Sequence, residues 1–256
     1  MRYIKKRNGF STKELRAQCS QGAPITADEA RRRWHRFTDS NYRLHIQLIT
    51  EQFGLCCYSE INLTDFSLHQ NLGSHLEHEK PKSSYPASTF DYNNLLLSSL
   101  DSEDLTRFPH SNKFAGHHKK NIFNPQLFIS PQDPNCRGYF IYSSETGEIS
   151  PDLSRHVNDQ NKARYTITLL NLNAPYLLAE RREWLQEIES LIAHYVEDGD
   201  VDAIESIAQV ELTLTHRSCP FLAVHIDQLR KFHSAVRAIF GQLGERVINQ
   251  ECPNIN

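Results

Sequence analysis

Ser74-His75-Leu76-Glu77-His78-Glu79-Lys80-Pro81-Lys82-Ser83 gathers two histidines, two glutamates and two lysines in ten residues. Gly73 to Glu79 reads as a short extended piece, and Pro81 ends it because proline has no amide donor for a strand ladder. Two segments downstream complete it. Phe90-Asp91-Tyr92-Asn93-Asn94-Leu95-Leu96-Leu97 carries an Asn pair before an apolar run. Ala115-Gly116-His117-His118-Lys119-Lys120-Asn121 carries a His pair before two lysines. A carboxylate and an imidazole together can hold a divalent metal. A second imidazole, titrating near neutrality, suits a general base. An Asn can hydrogen-bond the loop that holds that base, and lysines suit a phosphate. His75 lies two residues before Glu77, hence on the same strand face.

Outward from this centre the chain is ordinary. Its 256 residues are 39% hydrophobic and 23% charged, with a net charge of −3. That balance argues against binding nucleic acid by bulk charge but leaves room for a local basic site. Local basic runs are Lys5-Lys6-Arg7, Arg31-Arg32-Arg33, Lys80 with Lys82, and Lys119-Lys120; each taken alone reads as a solvated face. No apolar run approaches the roughly 18 residues that span a bilayer, and MRYIKKRNGF has no apolar signal core, so a cytoplasmic protein without membrane contact is expected. The 13 His are concentrated, six of them falling between His69 and His118, while the 6 Cys are scattered. A disulfide framework is not expected of such a chain.

Residues 26 to 53 read as a long helix. Thr26 and Glu29 form a capping box, Gly54 closes the helix, and Asp39-Ser40-Asn41 allows a division into two. Residues 55 to 68 and 73 to 79 could pair as a hairpin. Residues 114 to 122 could start a short helix, and 138 to 149 read as a hairpin around Glu145-Thr146-Gly147. From Asn158 the pattern is helical to the end, with strong amphipathic stretches at 174 to 196 and 221 to 243. Trp34 and Trp184, at helical positions, read as core. Tyr3, Phe10 and the early basic residues form either a partner-docking arm or a surface tail.

Taken together, HLEHEKPKS, NNLLLS and GHHKKN resemble the three parts of the HNH, or ββα-metal, nuclease site. EQFGLCCYSE, the N-terminal RYIKK and TITLLNLNAPYLLAERREW resemble one subgroup in particular, the HNH nuclease of Septu and retron-associated anti-phage systems. The resemblance covers roughly residues 1 to 185. It implies a mainly α fold with a small α+β insert: an N-terminal arm and helical region over 1–54, a ββα-metal core over 55–150 and a C-terminal helical region over 151–256.

In function it implies a metal-dependent endonuclease cutting phosphodiester bonds, DNA by default with RNA or tRNA open. The enzyme would work beside an ABC/SMC-like ATPase, with a retron reverse transcriptase and its msDNA as further partners. Carried over, His78 is the general base and Glu77 a metal ligand, with Mg²⁺ the expected ion. Asn94, in preference to Asn93, orients the His78 loop. One of His117 and His118, His118 by preference, is the second metal ligand; neighbours on a helix diverge by about 100°, so both do not easily face one ion. Lys82 and Lys119 approach phosphates, and His75 is a third ligand or a substrate contact.

The subgroup's four structural-zinc cysteines are mostly replaced. Cys56 remains, while Ser59, Ser98 or Ser99, and Ala115 fill the other places. A zinc site needs about four ligands, so no structural zinc is expected; Cys57, His69 and His110 are the remaining candidates for a rescue. The rival to the enzyme is a degenerate HNH-fold adaptor that binds nucleic acid or the ATPase without cutting.

Overall fold

A computed structural model describes residues 1–63, 73–101, 106, 109–219, 222 and 224–255. His69 lies outside them. The centre is a two-stranded antiparallel ladder. β1 (Ser74–His78) pairs with β2 (Leu95–Ser99), so that Glu77 faces Leu96 and His78 faces Leu95. β2 is buried throughout, with Leu95, Leu96 and Leu97 at the heart of the apolar core. The short helix α4 (Ala115–Lys119) packs on β2, so that β1, β2 and α4 make a ββα unit. The partner of β1 differs from expectation. Residues 55 to 63 fold back on themselves through a bridge between Leu55 and Asn62, and the apolar 95–99 run takes the place beside β1.

Before this unit come α1 (Lys13–Cys19), α2 (Ala27–His35) and α3 (Arg43–Glu51). Thr26 Oγ1 accepts from the amide of Glu29 at 3.2 Å, and the Glu29 carboxylate returns to the amide of Ile25 at 3.0 Å. Asn41 and Tyr42, at φ 56° and 54°, divide the predicted long helix. Asp39 caps the second half by accepting from the amides of Leu44 and His45, both at 2.9 Å. The first residues are neither arm nor tail: Met1 and Ile4 are buried in the core, and Tyr3 and Phe10 pack against it. The Met1 ammonium lies 3.0 Å from the Glu60 carboxylate.

After the unit, β3 (Phe140–Tyr142) and β4 (Ile149–Pro151) make the predicted hairpin. Its Gly147 has φ +74°, and an added Cβ would lie 2.1 Å from the Leu178 carbonyl, so only glycine fits. Then come α5 (Val157–Leu170), α6 (Pro175–Asp198), α7 (Val201–Leu212), β5 (Thr215–Cys219), β6 (Val224–Gln228) and α8 (His233–Glu251). The β5–β6 hairpin corrects the expectation of helix from Asn158 onward and over 221 to 243. Residues 224 to 228 alternate in burial, with Ile226 and Gln228 inside; this is period 2, not 3.6. Phe232, at φ 55°, then turns the chain into α8. The architecture is thus mainly helical with small antiparallel strand pairs, one of them outside the central insert. Among the described residues no helix is long and apolar enough to cross a membrane.

Candidate active site

A cleft of ≈ 250 Å³ opens where the end of β1, the start of α4 and the exposed flank of α2 meet. His75, Glu77, His78, Lys82, Gly116 and His117 line it, with Arg31 and Lys120 at its rim. Trp34 sits behind it against His78, and Phe90 packs on Trp34.

His78 is buried at the end of β1. Its Nε2 lies 2.9 Å from the Thr89 carbonyl. The ring therefore donates Nε2–H there, which leaves the Nδ1 lone pair to receive the Lys82 ammonium at 3.3 Å. Trp34 meets the ring edge-on, centroids 4.2 Å apart. Burial, then the Lys82 charge, pushes the His78 imidazole down to about 3, so the ring is neutral at pH 7.

The loop between His78 and Thr89 is closed by Asn94. Its amide Nδ2 donates to the carbonyls of Lys80 and Ser88, each at 3.0 Å, and its Oδ1 accepts from the Lys80 amide at 2.7 Å. Asn94 thus ties together the residue two places after His78 and the residue just before Thr89. Asn93 is exposed and does not enter this network; its carbonyl accepts from Gln132.

Glu77 is buried beside Gly116, where an added Cβ would stand 2.2 Å from Glu77 Oε2. Burial alone would raise its pKa, but the Lys119 ammonium 2.9 Å from Oε1 and the neighbouring His75 hold it down to about 2. His75 Nε2 lies 3.3 Å from Glu77 Oε2. His75 Nδ1 and His117 Nε2 both point at the Leu100 carbonyl, at 2.7 and 2.9 Å, and the two rings lie 4.1 Å apart. Burial, then the charge of His75, lowers the His117 pKa to about 4.

Two expected placements are not what the structure has. His118 turns away from the cleft and faces the Leu169 carbonyl of α5 at 2.9 Å, so His117 is the histidine beside Glu77. Lys119 is 1% exposed and does not reach the solvent side. Besides Glu77, its ammonium donates to the carbonyls of His78 and Glu79, at 3.0 and 3.1 Å. The rim cations are instead Lys120 and Arg31. Arg31, Trp34 and Thr89 were not singled out for the site from sequence. The signal available was the i, i+3 spacing of Arg31 and Trp34, which puts a cation and an aromatic on one helical face.

The donors available to a divalent metal are one carboxylate, Glu77, and two imidazoles, His75 and His117. Both imidazoles give their second nitrogen to a backbone carbonyl, as metal-ligating histidines commonly do. His75 sets its Nε2 3.3 Å from Glu77 Oε2 while its Nδ1 faces the Leu100 carbonyl. The donor chemistry fits a divalent cation. Among the described residues, however, no three such side chains are already closed around a common metal position.

The residues in the places of the subgroup's zinc ligands form a separate buried cluster. Cys56 Sγ accepts from the Ser99 amide at 3.3 Å and the Ser99 hydroxyl at 3.2 Å, and Ser59 and Ser99 hydroxyls lie 3.5 Å apart. Ser98 Oγ receives the Gly116 amide at 3.4 Å. Cys57 is buried and His110 exposed.

No protein-family model matches the chain. A curated protein of Vibrio cholerae serotype O1 biovar El Tor, named "Retron Vc95 putative HNH endonuclease", is 27% identical over 146 residues. The match takes in 57% of this chain and 63% of that protein, so the chain spans just under two thirds of the relative's length. At the level of the family, the chain is similar to an HNH endonuclease linked by name to a retron.

Proposed function

We propose that this chain is a metal-dependent HNH endonuclease that hydrolyses phosphodiester bonds of nucleic acid, DNA by default, as the effector of an anti-phage complex. The observation that carries the reading is the state of His78. Its far nitrogen is anchored on Thr89, its near nitrogen carries a lone pair, and Glu77, His75 and His117 stand in the same cleft. In this reading His78 Nδ1 takes a proton from the attacking water. Lys82 leaves that nitrogen and turns to a phosphate oxygen, which also frees the base. Asn94 keeps Thr89 in place so that the imidazole keeps its tautomer. Glu77, with His75 and His117, would hold the divalent ion, Mg²⁺ in the first instance, which when bound neutralises phosphate charge and stabilises the leaving oxygen.

The ATPase partner, of ABC/SMC type, and the retron reverse transcriptase with its msDNA are supported by the sequence resemblance and, for the retron, by the relative's name. A second reading has one observation in its favour: the Lys119 ammonium already neutralises Glu77. That suits a degenerate adaptor that binds without cutting. One assay separates the two. Duplex DNA incubated with the protein and Mg²⁺ or Mn²⁺ is expected to be cut, and His78→Ala to lower the rate by roughly 10²–10⁴-fold. Equal cutting by the variant refutes the role of His78; no cutting by either protein, alone or with its ATPase, favours the adaptor.

A further inference from the structure

The three arginines of α2 are not equivalent. Arg33 is spent inside the fold: it donates to the Gln18 carbonyl at 2.5 Å and to the Gly22 carbonyl at 2.9 Å, and stacks over Phe90 at 5.1 Å. Trp34 is stacked on Phe37 at 5.0 Å and set edge-on to His78. These contacts fix the roll of α2 against the ββα unit. That roll brings Ala27 and Arg31, one turn apart, to the wall of the cleft, while Lys120 and Asn121 lie on the side of α4. Arg31 is exposed, and its partner is Asp28, 3.1 Å away on the same helix, with both side chains more than two-thirds in solvent. Such a pair contributes little and exchanges readily. A guanidinium offers two parallel donors that match the oxygens of a phosphodiester.

We propose that α2 is a substrate-binding wall of the cleft and that Arg31 is a substrate-binding residue. Its guanidinium leaves Asp28 for a backbone phosphate of duplex DNA beside the scissile one, across from Lys120. The inference rests on the nuclease reading and adds to it an element that lies outside the ββα unit. The duplex would be gripped between a helix of the N-terminal region and the end of α4.

The test is the anisotropy of a fluorescein-labelled DNA duplex titrated with the full chain in EDTA, so that nothing is cut, over a series of salt concentrations. Arg31→Ala is expected to weaken binding at low salt and to flatten the slope of log K against log salt by about 0.9, the loss of one phosphate contact. Asp28→Ala, which releases Arg31, is expected to bind as tightly as the wild type or tighter. Arg31→Ala with the wild-type affinity and slope would overturn the proposal and leave the nuclease reading standing. Preference for a single strand over the duplex would overturn it as stated. Wild-type protein that binds no nucleic acid would remove both.

Discussion

Two buried glutamates, Glu77 and Glu60, are held at the same pKa of about 2 and serve different ends. Burial opposes ionisation in both. At Glu60 the Met1 ammonium at 3.0 Å and the Ser234 amide at 2.7 Å overcome it. The Glu60 carbonyl also accepts from the amide of Phe232. Every feature of that site is internal, and it joins the first residue, the 55–63 loop and the start of α8. Glu77 is balanced by Lys119 as well, but its other oxygen faces His75 Nε2 and lines an open cleft. A depressed carboxylate pKa therefore does not mark a site by itself. Access to an open cleft shared with His75 and His117 does.

The largest loss is expected at Glu60. Glu60→Gln leaves a buried ammonium with a weaker partner, and removal of one member of a buried pair costs about 3–5 kcal/mol. Denaturant unfolding at pH 7 measures the loss; a change below 1 kcal/mol would mean that Glu60 is not a structural anchor. Its pH signature follows from the sign of the shift. The folded-state pKa is depressed, so the stabilisation is complete above the ordinary value of 4.5 and disappears as pH falls toward 2. Unfolding free energies between pH 6 and pH 2 should fall more steeply in the wild type than in Glu60→Gln.

Gly116→Ala sharpens the other half. The added methyl would force the Glu77 carboxylate from its place, and an ångström of misplacement can cost roughly 10²-fold in rate. Cleavage rate and melting temperature measured together are expected to part, the first falling far more than the second. Trp34→Ala is expected to have a smaller effect, about tenfold on kcat with KM little changed, because it loosens the His78 ring without touching substrate. Trp34→Phe should restore most of the rate; recovery of nothing by Phe would make Trp34 something other than a support for the ring. The smallest effect belongs to the serine–cysteine cluster. Ser99→Ala removes the hydroxyl's hydrogen bonds to Cys56 and Ser59, worth about 1 kcal/mol each at most in denaturant unfolding, and leaves cleavage unchanged.

What the sequence made legible was local. The Thr26 cap, the 140–151 hairpin and the proximity of His75 to Glu77 all follow from spacings of a few residues. What it hid depends on distant partners. The sequence favours His118 over His117, but docking against α5 sends His118 to the Leu169 carbonyl. Lys119 looks like a phosphate contact until the end of β1 offers it two carbonyls and a carboxylate. The β6 strand was lost in a long apolar stretch because alternation and helical periodicity overlap over five residues. Arg31 and Trp34 reach the cleft from over forty residues away, through packing that no short window contains.

In the proposed function Glu77 and His117, not His118, meet at a hydrolytic metal. Anomalous diffraction from Mn²⁺-soaked crystals of the full chain is expected to show one ion within bonding distance of Glu77 and His117, with His118 still turned to α5. An ion held by His118, or crystals of an active nuclease that take up Mn²⁺ elsewhere and none in this cleft, would contradict it.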